Sequence, residues 1–456
     1  MGQMGRFLFT TLPSNDLGLL AQSLPIAAEL RSRGHDITFC SPGHAPKRLI
    51  AAAGFDNLLP AHASYYFISG DIKSFEAMSR LVRSPHPLRD LRILLSFIRH
   101  VNRASTAEIW DFDHFMYLFG MGDARFVDAN VDSIMEMILK NEPDAVVDFW
   151  NPFACIAARA CGKPLITVIQ ADNHPASRGF MWWRDTPPVA FPSPVPATNS
   201  VLEKHHLPAI RKVSELLVGD LTLVVGIPEA DPLPSSSGAT YVGPLLWEKT
   251  DERLPDWINH LGKEMPLIWL YPGNLQYVKG ARTFGDSEAV LQACIDALGS
   301  KAVQVVLSTG HQTLPHRFDT LPPNFRHAPY VAGLAMARRS DLLIHHGGYG
   351  SCQTGLSAGK PALIIPTYSE RESNARRVAA LGAGDYILPA MDVTGKYKQV
   401  SAQEVETKVF KILSDGSFAA RAQRISERMS MYGGAPTAAD HIERLVVASS
   451  GTPAVR

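Results

Sequence analysis

What constrains this chain most is an alternation of short apolar runs with amphipathic stretches, met near the N-terminus and again past the midpoint. RFLFTTL (residues 6–12) has the length and composition of a buried strand. Leu20, Leu24, Ala27 and Leu30 then recur at helical spacing, Gly34 stops that helix, and DITFC (36–40) is a second strand. A strand–helix–strand unit this short implies parallel strands joined by a right-handed crossover. The pattern returns over 143–170 as PDAVVDF, ACIAARACG and PLITVIQ, and LTLVVGIP (221–228) adds another strand. Between these lies a predicted helical region over 72–140, rich in aromatics, and residues 187–199 are a proline-rich loop.

After the Pro/Ser/Gly-rich stretch EADPLPSSSGAT the alternation starts afresh: PLIWLYPG, a helix over 286–298, VQVVLSTG, SDLLIHHGG, a helix over 351–358, then KPALIIP. A helical segment over 401–448 follows. The expected fold class is therefore α/β, with two successive doubly wound sheets. The predicted boundaries are a first domain over 1–230, a connection over 231–250, a second domain over 251–435, and a C-terminal helix and tail over 436–456. Such sheets bind ligands beyond the carboxyl ends of their strands, where strand order reverses. Two of them facing across a cleft would make a ligand site.

Composition excludes several function classes. A chain of 456 residues exceeds one ordinary core, and 46% hydrophobic with 19% charged residues describes a globular protein. A formal net charge of zero carries no electrostatic footprint for nucleic acid. The five cysteines are scattered through expected strands and helices, as small buried hydrophobes of a reducing cytoplasm are. MGQMGR leads into a strand without the apolar core of a signal peptide, and no apolar run reaches the ~18 residues of a spanning helix. The expectation is a cytoplasmic protein without a membrane span, able to form a homodimer.

The stretch DLLIHHGGYGSCQTGLSAGKPALIIP (341–366) carries the most chemistry. A strand runs into His346-Gly347-Gly348-Tyr349-Gly350-Ser351, and a short helix follows. Glycines let the backbone approach a ligand closely, and a helix N-terminus offers unpaired N–H groups and partial positive charge. Ser351 adds a hydroxyl and His346 a ring donor for an anionic oxygen. The spacing suits a diphosphate, although it is neither a Walker loop nor a GxGxxG fingerprint. A metal pair on His345 and His346 lacks the HExxH spacing and any flanking acidic cluster, so no metal is expected.

HHGGYGSCQTGLSAGKPALIIPTYSERESNARRVAALGAG, together with RGHDITF, YVGP (241–244) and LPPNFRHAPYV, resembles the nucleotide-sugar-dependent glycosyltransferases of the two-Rossmann-domain GT-B type. The likeness is to the bacterial branch that decorates antibiotics and extends over most of the chain. It implies that the second domain binds a nucleoside diphosphate sugar, as co-substrate and with no required cofactor. By the resemblance, His346, Gly348, Gly350 and Ser351 face the diphosphate and Gly347 allows close approach. Gly273 and Asn274 lie on the other side of the phosphates, and Val331, within Tyr330–Gly333, stands at the nucleobase. Glu370 and Arg371 occupy the place where many relatives carry Asp-Gln against the sugar hydroxyls. Thr354 stands where plant relatives have a ribose-binding Glu, which leans towards a TDP donor over UDP. The implied reaction is inverting glycosyl transfer to a hydrophobic small-molecule aglycone.

Such a reaction needs a group to take the acceptor's proton. Relatives use a histidine in a G-H-x-x-P pattern; here Gly18-Leu19-Leu20-Ala21-Gln22 occupies it, and leucine accepts no proton. Three readings stand side by side. Asp16, in the preceding Ser14-Asn15-Asp16 cluster, supplies the carboxylate while also suiting a helix cap. Asp148, at the end of PDAVVDF, acts in its place. Or the acceptor is a carbon, an amine or an acidic hydroxyl that needs little base. Tyr65, Tyr66, Phe67, Trp110, Phe112, Phe115, Tyr117, Trp182 and Trp183 are the aromatic candidates for an apolar acceptor surface, each also a candidate for ordinary core packing.

Overall fold

The structure, a computed structural model, describes all residues except 1–3, 15–16, 61, 63–78, 80, 104–108, 188–189, 249–252, 274, 276–286, 395–396 and 451–456. The chain divides into two compact units. The first comprises Met1–Ser105, Trp110–Leu245 and Gly433–Arg456, and the second Thr106–Ile109 with Leu246–Tyr432.

The first unit holds a parallel sheet of β1 (Arg6–Thr11), β2 (Asp36–Cys40), β3 (Asp56–Asn57), β4 (Ala145–Phe149), β5 (Leu165–Ile169), β6 (Leu221–Val225) and β7 (Thr240–Gly243). Their spatial order is β3-β2-β1-β4-β5-β6-β7. Every residue of β4 and β5 is buried, as expected of central strands covered on both faces. Phe9 packs against Phe39 and Phe149 on neighbouring strands, while Leu8 and Val146 belong to a larger core with helix Ala124–Asn141. The region expected to be helical over 72–140 includes helices Pro87–Arg103, Phe112–Met116 and Ala124–Asn141. Gly120 (φ 94°) interrupts it beside Phe97 and Phe126, leaving no room for a side chain. Within the proline-rich stretch a helix already begins at Val195.

The stretch 231–250 contains β7, which lies in the first sheet, so the first unit runs to Leu245. The C-terminal helix Ala435–Ser450 also returns to this unit. Arg33 donates to Asp440 (2.6 Å) and Glu443 (2.8 Å), and His35 Nε2 donates to Glu443 (2.8 Å) while its Nδ1 accepts from Gly5 N. The Arg33-Gly34-His35 turn is thus the clasp for the chain's last helix.

The second unit repeats the plan with β8 (Leu267–Tyr271), β9 (Gln304–Ser308), β10 (Phe325–Ala328), β11 (Leu342–His345), β12 (Ala362–Ile364) and β13 (Gly384–Tyr386). The order is β10-β9-β8-β11-β12-β13, all parallel. Strand order reverses between β8 and β11, and that is where a doubly wound sheet opens a crevice for a ligand. Among the described residues no helix is long and apolar enough to cross a membrane.

Candidate functional site

At this reversal two glycines press on the His346 imidazole and a third on the Arg371 backbone. Gly273, just past β8, has φ 98°, and a Cβ there would lie 2.9 Å from His346 Cγ. Gly347 has φ 89°, and a Cβ would lie 2.8 Å from the Arg371 carbonyl. A Cβ on Gly348 would lie 2.7 Å from His346 Nε2. All three glycines are required by close approach. Gly350 differs: it is exposed, and a Cβ there would meet nothing within 4 Å. It sits in the first turn of helix Tyr349–Ser357, whose earliest intrahelical bond runs from Cys352 N to Gly348 O. The amides of that turn are therefore the helix's outward-pointing donors. Ser351, half-buried, shares this turn.

Both histidines are neutral. His345 is buried, its Nδ1 accepts from Gly347 N (3.1 Å), and burial pushes its pKa down to about 3. Burial, then the nearby Arg371 and His345, holds His346 well below the ordinary imidazole range. Its ring stands edge-on to Tyr271 at 5.3 Å, and a hydrogen bond with the Tyr271 backbone partly offsets the downward shift.

Helix Ser369–Ala380 grips the turn from the side. Asn374 Nδ2 donates to Gly347 O and to Glu370 Oε1, both at 2.9 Å. Arg371 donates from Nη1 to Thr367 Oγ1 (2.8 Å), and its Cζ lies 4.5 Å from the Tyr368 ring centre. Val331 is buried in a small cluster with Trp269 packed against it, and Trp269 Nε1 donates to Ser308 Oγ (2.8 Å). Tyr330 stacks on His311 at 4.5 Å. Thr354 spends its hydroxyl on Gly350 O within its own helix (2.8 Å). The second unit therefore gathers Gly273, His346, Gly347, Gly348 and the Glu370–Arg371 pair, while Asn274 lies outside the described residues. Sequence reasoning missed Asn374 and Tyr271; the i,i+4 spacing of Glu370 and Asn374 was the legible signal for the former.

In the first unit Asp148 sits at the corresponding reversal, between β1 and β4. It is fully buried: Oδ1 accepts from Thr10 Oγ1, and Oδ2 from Asn151 N (3.0 Å) and Cys155 Sγ (3.3 Å). Burial pushes its pKa up to about 7, partly offset by these bonds. Asp16 lies outside the described residues, and Leu19 packs against the core. Of the aromatic candidates, Phe112 is core, Phe115 packs on it, and Trp182 and Trp183 are half-buried, edge to face; Tyr65, Tyr66 and Phe67 lie outside the described residues. Trp110, Asp111, Asp113 and His174 line a cavity of about 120 Å³, where burial, with Asp111 beside it, pushes Asp113 up to about 6. Asp128, Asp132 and His205 also gather, but Lys204 Nζ lies 2.7 and 3.1 Å from the two carboxylates and supplies their positive charge.

Residues 292–446, which include the glycine turn and the Ser369–Ala380 helix, match the erythromycin biosynthesis protein CIII-like C-terminal domain. The matched stretch runs from within helix Ser287–Leu298 into the C-terminal helix, so it carries His346, Asn374 and Arg371 together. Among curated relatives, the NDP-glycosyltransferase YjiC of Bacillus subtilis is 29% identical over 255 residues, 55% of this chain and 60% of that protein. The chain spans about half the length of other curated relatives it matches. Among solved structures, the spinosyn forosaminyltransferase SpnP superimposes with a TM-score of 0.67 at 18% identity, covering 98% of this chain and all of that one. The glycosyltransferase VinC, solved in complex with DTDP, gives 0.63 at 18% identity, covering 97% of this chain and all of that one. The two-sheet architecture is that of the GT-B fold, and these relatives and structures are named glycosyltransferases.

Proposed function

We propose that this chain is an inverting glycosyltransferase that moves a sugar from a nucleoside diphosphate, TDP or UDP, to a hydrophobic natural-product acceptor. The observation that carries this is the turn at the β8/β11 reversal. Three forced glycines, outward amides of the Tyr349–Ser357 helix and a neutral His346 form a cradle for an anion. The departing diphosphate gains charge as the glycosidic bond to it breaks, and fixed donors in such a place favour that transition state. Similarity to SpnP and VinC supports a natural-product acceptor and a TDP donor, and the spent Thr354 hydroxyl leaves nucleoside recognition to the Tyr330–Gly333 segment.

Asp16 is the group assigned to take the acceptor proton. Asp148 has the pKa of a base suited to neutral pH, but its burial and three bonds give it the work of holding the ends of β1 and β4. Turnover of TDP- and UDP-sugars should fall at least 100-fold in Asp16→Asn with donor affinity unchanged. Full activity in both Asp16→Asn and Asp148→Asn would remove the carboxylate base. A second reading, a sugar-nucleotide-binding protein without turnover, is favoured by Leu19, which fills the relatives' base position and packs on the core. Donor binding with neither transfer nor donor hydrolysis would establish it.

A further inference from the structure

Arg371 is 4% exposed, and a guanidinium keeps its charge wherever it is placed. Its protein partners are few: Nη1 donates to Thr367, the group lies over Tyr368, and Nε is buried with no partner. Among the described residues no carboxylate lies within ion-pair distance of it; neighbouring Glu370 turns its Oε1 to Asn374 instead. A buried cation left without a counter-charge is costly, so proteins pair such groups or use them to bind anions. Its surroundings fit the second use. The Arg371 backbone abuts Gly347, and the residue bears electrostatically on the buried His346. A buried guanidinium with an unanswered Nε beside this glycine turn makes a built site for a negatively charged oxygen.

We propose that Arg371 holds an anionic oxygen of the donor, drawn either from its diphosphate or from a carboxylate on its sugar. This rests on the sugar-nucleotide reading above and adds to it the charge of the group at this position. A planar fork with free N–H groups matches a phosphate or carboxylate edge, whereas a neutral hydroxyl leaves the charge unanswered.

Calorimetric titration of the full-length protein with UDP, TDP, UDP-glucose and UDP-glucuronate tests it, comparing the wild type with Arg371→Gln. Should Arg371→Gln not fold, as judged by circular dichroism, Arg371→Met takes its place. If the oxygen belongs to the diphosphate, the variant loses about ten- to a hundredfold in affinity for every probe the wild type binds. If it belongs to the sugar, UDP-glucuronate alone loses that affinity, and the wild type prefers it to UDP-glucose. Arg371→Lys, which keeps the charge without the fork, should retain more affinity than the neutral variant in either case. Equal affinity of the wild type and neutral variant for every probe overturns the role of Arg371 and leaves the donor site standing. A wild type that binds none of the four overturns both.

Discussion

Gly347 and Gly350 lie three residues apart and are glycine for opposite reasons. Gly347 has a positive φ and backbone pressed against it, so Gly347→Ala should destabilise the protein by about 1–3 kcal/mol, read by urea denaturation. Gly350 is helical, exposed and faces open space, so Gly350→Ala should raise stability by roughly 0.5–1 kcal/mol. If the outward turn receives the diphosphate, the same methyl weakens donor binding, and the two effects separate in one variant. Asp148 gives a pH signature. Its carboxyl keeps its proton up to about pH 7 in the folded chain but only to about 4 once unfolded. The folded state therefore binds the extra proton between these values, and stability falls as pH rises from 4 towards 7. Asp148→Asn should flatten that slope by an amount on the order of a few kcal/mol, seen in urea midpoints at pH 5 and 7.5. The glycines were legible in the sequence because consecutive glycines after a strand have few other uses. The burial of Asp148 was not, because it depends on Thr10 and Cys155 arriving from separate elements.

At the level of elements, the site depends on a helix that does not itself contain the turn. Helix Ser369–Ala380 reaches the Gly347 carbonyl through Asn374, whose other bond to Glu370 fixes its amide. Asn374→Ala leaves a buried carbonyl unanswered and should cost about 1–3 kcal/mol, with a raised KM for the donor. Asn374→Asp cannot donate and should reproduce the effect, which distinguishes a lost bond from lost volume. The strands were easy to locate, because parallel strands buried on both faces read as short apolar runs. The exception is β7: four residues behind a Pro/Ser/Gly stretch look like part of a connection, and pairing with β6 alone makes them a strand. The long helical region was harder for a similar reason, since the break at Gly120 follows from packing against Phe97 and Phe126.

On the scale of the whole molecule, a seven-stranded and a six-stranded sheet follow one another and share the order of six strands, and each brings a distinctive group to its point of reversal. The first brings the buried Asp148, and the second the neutral His346 among glycines. The last helix returns to the first unit through Arg33 and His35, a connection no local pattern reveals because its partners are about 400 residues apart. We propose that a diphosphate binds at the second sheet's reversal. Calorimetric titration of the full-length wild type and Gly350→Ala with TDP and UDP tests it most directly. The wild type should bind at least one nucleotide with a Kd below about 1 mM, an affinity of about 4 kcal/mol or more. The better-folded Gly350→Ala should bind at least tenfold more weakly. No binding of either nucleotide by the wild type, or equal binding by the two proteins, would contradict it.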